Sequence, residues 1–151
     1  MKLFSLYLTV LCLALSSSAF SAGFTSRELL RCAGHAVESE NVKDLEIILE
    51  ELTETRTGKT RLYFVGGFTA EKDDGLLPHH SINIIAKESS SAISAKRRAP
   101  FLGEEPESIT ITVNKATLQG AINYTKHRGY GSIGRPYIKF KTSLNCSVVA
   151  Q

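Results

Sequence analysis

The chain has no tryptophan, 4 prolines and 3 cysteines in 151 residues, and no acidic residue after Glu107. With 11 glycines, 42% hydrophobic and 22% charged residues, its composition lies near the globular average. That argues against collagen-like repeats, coiled coils and intrinsic disorder. No Cys-x-x-Cys pair occurs, so a dithiol redox motif is absent. No Gly-x-Ser-x-Gly sequence occurs, so the nucleophile elbow of an α/β-hydrolase is absent too. No apolar run reaches the roughly 20 residues of a membrane-spanning helix. No internal repeat or domain boundary divides the chain.

The N-terminus has the three parts of a secretory signal. Met1-Lys2 gives a positive start, and Leu3 to Leu15 is apolar except for Ser5, Tyr7 and Thr9. Ser16 to Ala22 is small and polar except for Phe20. Small residues at −3 and −1 favour cutting after Ala19 or Ser21, whereas a cut after Ala22 would place Phe20 at −3. The expected division is a cleaved signal over 1–21 and a single domain over 22–151. The mature protein is then exported, periplasmic or extracellular, with no transmembrane segment. An outer-membrane barrel fits poorly, because its strands need a lipid-facing apolar band.

Cys12 leaves with the signal, so Cys32 and Cys146 remain. In an oxidising compartment two cysteines form a disulfide, and only one pairing exists. It would close a loop of more than 100 residues between the first element and the last. Neither cysteine has a histidine beside it in sequence, which disfavours a thiol nucleophile.

Period-two alternation dominates the rest of the chain. Ile138, Phe140, Thr142, Leu144, Cys146 and Val148 alternate with Lys139, Lys141, Ser143, Asn145 and Ser147. Strands are likewise expected over 108–114, 118–125, 82–86 and 61–65. Residues 44–54 fit both periods. The turn signal Arg56-Thr57-Gly58-Lys59 and the strand beyond it favour a hairpin. Residues 25–36 stay split between a short capped helix, from Thr25-x-x-Glu28, and a strand carrying Cys32. Loops are expected over 34–41, 69–81, 89–106 and 126–137. The fold class is mainly β: a small antiparallel sandwich or barrel of about six to eight strands, with at most one short N-terminal helix.

Motifs for catalysis are weak. Gly58-Lys59-Thr60 lacks the preceding glycine of a phosphate loop, since position 53 is threonine. ATP is therefore not expected. His35, His79, His80 and His127 read as solvated loop residues, and their spacing demands no metal. Asn123-Tyr124-Thr125 and Asn145-Cys146-Ser147 match the glycosylation pattern but fall within expected strands.

Charge is segregated along the chain. From Ser108 onward the charged residues are Lys115, Lys126, Arg128, Arg135, Lys139 and Lys141, a charge of +6. Residues 23–107 carry 11 basic and 15 acidic residues, a balance of −4. Such asymmetry can attract anionic partners. A competing reading sets Lys139 and Lys141 across from Glu46 and Glu50 on neighbouring strands. The segment from Lys126 to Tyr137 joins three cations to three glycines and two tyrosines, so Lys126, Arg128, Tyr130, Arg135 and Tyr137 are the expected ligand-binding residues.

The expected function is an exported, non-catalytic β-domain that binds an anionic envelope component or another exported protein. No cofactor is expected, and nucleic acid is disfavoured. Two alternatives are a small hydrolase using a loop histidine, and a protease inhibitor presenting Lys96-Arg97-Arg98 on a loop.

Overall fold

The computed structural model describes residues 23–34, 42–70, 79–98, 107–127 and 138–150. These residues form eight antiparallel strands. They are β1 (Phe24–Gly34), β2 (Val42–Glu54), β3 (Thr60–Ala70), β4 (His79–Glu88), β5 (Ala92–Arg98), β6 (Glu107–Asn114), β7 (Gln119–Lys126) and β8 (Ile138–Val148). Each pairs with the next, and β8 returns to β1, so the sheet closes as an up-and-down barrel. Among the described residues there is no helix. Both ambiguous segments, 25–36 and 44–54, are therefore strand where described.

The alternation read from the sequence sets the inward face. Leu49 lies opposite Phe64, which lies opposite Ile84. Ile109 lies opposite Tyr124, which lies opposite Phe140. All six are buried. Phe68 reaches across from β3 to put its ring centroid 4.9 Å from both Tyr124 and Phe140, edge to face. Contacts of this geometry add about 0.5–1.5 kcal/mol each beyond burial. An eight-stranded barrel is just wide enough for side chains to fill, and here aromatic rings from opposite walls meet inside it.

Three tight hairpins lie at one end. Residues 55–59 join β2 to β3, where Gly58 takes φ +67° and donates its N–H to the Glu54 carbonyl at 2.8 Å. Gly58-Lys59-Thr60 is thus a hairpin turn. At 89–91, Ser89 bonds the Ala92 carbonyl through both its N–H and its hydroxyl. At 115–118, the Asn114 side chain accepts from the N–H groups of Ala116 and Thr117. The connections at the other end, 35–41, 71–78, 99–106 and 128–137, lie outside the described residues.

Gly66 sits where β2 is irregular. The β2–β3 register shifts between Lys43 and Glu46, and Asp44 takes φ 55°. Gly66 adopts φ +150°, and a Cβ there would lie 2.1 Å from the Glu46 carbonyl oxygen. Only glycine fits that approach.

The seam between β1 and β8 carries the disulfide. Cys32 lies directly opposite Cys146, with Cα atoms 3.9 Å apart and 114 residues between them in sequence. The bond thus joins the first strand to the last, as the sequence implies. The seam between β4 and β5 is the opposite case. These strands pair only at Lys87 with Ser94 and Glu88 with Ile93. Beyond that point the Arg97 side chain crosses the gap and donates to the Asn83 carbonyl at 3.1 Å.

Four expectations are corrected. The stretch 89–106 is not one long loop, because Ala92–Arg98 forms β5 with Ile93 and Ala95 buried. The small apolar side of this strand was hidden among serines and cations. His79 and His80 belong to β4, not to a loop. Val148, expected to face inward, is 66% exposed at the end of β8. Lys139 and Lys141 do not face Glu46 and Glu50, because β1 lies between β8 and β2.

Candidate functional site

The exterior divides into two unlike halves. On β1 and β2, several acids pair with arginines, Glu51 with Arg27 at 2.7 Å among them. Arg31 bridges Glu28 at 3.0 Å and Glu46 at 3.1 Å. The hydrogen bond with Glu28, then the nearby charges of Glu28 and Glu46, push the Arg31 pKa above its ordinary value. Lys115 pairs with Glu88 at 2.6 Å on the hairpin end.

The other half is β5 to β8. Its buried positions are Ile93, Ala95, Ile109, Ile111, Val113, Ile122, Tyr124, Ile138, Phe140 and Leu144. Alternation therefore turns the residues between them outward. Register aligns these outward residues in two rows. One row is Lys96, Thr110, Asn123 and Lys141; the other is Arg98, Ser108, Thr125 and Lys139. A third row, Ser94, Thr112, Ala121 and Ser143, is uncharged. The four cations are exposed. Glu107 is the one acidic residue in these four strands, and it lies on the inward side. Among the described residues, no acid pairs with Lys96, Arg98 or Lys141.

Along β5 and β8 the two cations are about 7 Å apart, and each row spans about 14 Å of sheet. In a closed eight-stranded barrel, three strand steps turn through about 135°. The cations therefore stand on two shoulders of a convex surface. Its crest, β6 and β7, is lined with hydroxyl and amide groups and carries no charge. Apolar inside and charged outside, this half reverses the pattern of a membrane-spanning barrel. No helix among the described residues is long and apolar enough to cross a membrane.

A second polar group lies at the inner end of β5 to β7. Glu107 accepts from the Tyr124 hydroxyl at 2.6 Å and pairs with Arg97. The Glu107 side chain is 15% exposed and that of Arg97 40%. Arg97 turns inward from β5, so Lys96-Arg97-Arg98 is a strand with divided faces and not a protruding basic loop. Glu107 opens β6, one residue before the strand expected from the sequence. His80 stacks on Phe68 with ring centroids 5.1 Å apart.

Of the sequence-based site residues, Lys126 ends β7 opposite Glu107 and Ile138. Arg128, Tyr130, Arg135 and Tyr137 lie outside the described residues. Lys96 and Arg98 were expected on an exposed loop and were missed as members of this face, although their alternation with Ile93 and Ala95 was available. A shallow recess of about 220 Å³ lies on the outer side of β1 to β3, lined by Phe24, Leu52, Glu54, Lys59, Arg61 and Tyr63. It brings a carboxylate together with two cations and two aromatic rings, and has no histidine in its lining.

The molecule is thus an up-and-down β-barrel with a packed interior, a disulfide across its closing seam and a cationic half-exterior. No family model matches the chain, and no curated protein or solved structure is significantly similar to it.

Proposed function

We propose that the protein is an exported, non-catalytic binding domain, periplasmic or extracellular, that takes an anionic partner on the outer face of β5 to β8. The observation that carries this reading is the outer face of β5 to β8, where the described outward residues include the exposed cations Lys96, Arg98, Lys139 and Lys141 and no acid. Charge of one sign over neighbouring strands raises the local concentration of anions and speeds their association. The topology supports it further, since β1 separates β8 from the acids of β2. By sequence, the connection between β7 and β8 adds the cations Arg128 and Arg135, and the connection between β5 and β6 adds the acids Glu104 and Glu105. The disulfide and the N-terminal signal pattern support export, because disulfides persist in oxidising compartments.

Retention on a sulfate-bearing cation-exchange matrix tests the reading. The triple variant Lys96→Gln, Arg98→Gln, Lys141→Gln should elute at clearly lower salt than the wild type. A control with Lys59→Gln, Arg61→Gln and Lys87→Gln removes the same charge from the other half and should elute close to wild type. Equal loss in both variants, or weak retention of the wild type, would refute a localised anion site.

A further inference from the structure

We infer that the partner of the β5–β8 face is an anionic glycan: a flexible chain whose charged groups are spaced by hydroxyl-bearing units. This inference rests on the anion-binding reading above and adds the chemistry of the occupant. It follows from what lies between the cations and from the curvature of the face.

The outward positions of β6 and β7 are Ser108, Thr110, Thr112, Asn114, Gln119, Ala121, Asn123 and Thr125. Seven of these eight carry a hydroxyl or an amide, which both donate and accept hydrogen bonds. None carries charge. A bare polyanion can use only the donors of these groups, whereas sugar hydroxyls use both their donors and their acceptors at each step. The cations at the shoulders then meet the anionic groups of the same chain. Each row reads cation, polar, polar, cation across four strands.

Other anionic partners fit this face less well. A single-stranded nucleic acid gains about 1–3 kcal/mol per base by stacking on aromatic side chains, and none of the outward residues in the three rows is aromatic. A protein partner is held mainly by aromatic and arginine anchors at the centre of its interface, and the outward positions of β6 and β7 present neither. A lipid surface is flat on this scale. Resting on the crest it would meet hydroxyls first, with the cations turned away by the barrel's curvature. A flexible polymer can follow the curve and reach both shoulders.

Affinity measurements with four probes test this. They are size-selected dextran sulfate, linear polyphosphate of equal total charge, oligo-thymidylate, and vesicles containing phosphatidylglycerol. Dextran sulfate should bind at least ten-fold tighter than polyphosphate. The variant Thr110→Val, Thr125→Val keeps the β-branched shape and removes two hydroxyls. It should lose about five-fold for dextran sulfate and clearly less for polyphosphate, which uses only the donors. If that variant melts early, Asn123→Ala on the exposed crest serves the same comparison. Equal binding of polyphosphate and dextran sulfate, or tightest binding to vesicles or oligo-thymidylate, would overturn the glycan assignment and leave the anion-binding reading standing. Failure of all four probes to bind in a salt-dependent manner would overturn both.

Discussion

Cys32 and Cys146 face each other in register across the one seam that joins the two ends of the chain. Without that bond the barrel would close by hydrogen bonding and packing alone. Replacing either cysteine with serine should cost roughly 2–4 kcal/mol and lower the melting temperature by roughly 10 °C. Thermal melts of the oxidised wild type and of Cys32→Ser check this. Peptide mapping should recover one linked pair. Two free thiols in protein taken from an oxidising compartment would contradict the assignment.

Two glycines should respond differently to alanine. At Gly58 nothing lies within 4 Å of a new Cβ, so the cost is only that of a positive φ. About 1 kcal/mol is expected there. At Gly66 the new Cβ meets the Glu46 carbonyl oxygen at 2.1 Å, with the backbone also at positive φ. Gly66→Ala should cost upwards of about 3 kcal/mol or prevent folding. Urea midpoints of the two variants should rank accordingly, and a reversed order would show that the β2–β3 register can slip.

The Arg97–Glu107–Tyr124 group fastens the weakly paired β4–β5 seam. Tyr124→Phe removes one bond to Glu107 and should cost about 1 kcal/mol. Arg97→Leu leaves Glu107 without its cation and the Asn83 carbonyl without its side-chain donor. It should cost about 2–3 kcal/mol. Amide exchange should then speed up first in β4 around Asn83. Uniform acceleration across all strands would assign Arg97 no special part in closing the seam.

Processing gives a fourth expectation. N-terminal sequencing of exported protein should begin between Phe20 and Gly23. Recovery of Met1 on exported material would contradict cleavage.

The strands were legible wherever inward residues were large. Ile109, Ile111 and Val113 marked β6, and Ile138, Phe140 and Leu144 marked β8. β5 was not legible, since its inward side is Ile93, Ala95 and the half-buried Arg97, set among serines and cations. The candidate site was only half legible. The absence of acids after Glu107 pointed to a basic segment. Lys96 and Arg98 come from outside that segment and join it through the pairing of β5 with β6.

The sequence alone determined the period of the strands, the hairpin at Gly58, the Cys32–Cys146 pairing expected once Cys12 is set aside with the signal pattern, and the sign of the charge at the C-terminal end. These are local or combinatorial properties, fixed by neighbouring residues and by counting. The tertiary structure decided what depends on strand order. It placed β1 between β8 and β2, which separates Lys139 and Lys141 from Glu46 and Glu50. It also turned Arg97 toward Glu107 while Lys96 and Arg98 face outward. Strand order is set by closure of the whole sheet, and no window of the sequence contains both partners of the pairs it creates.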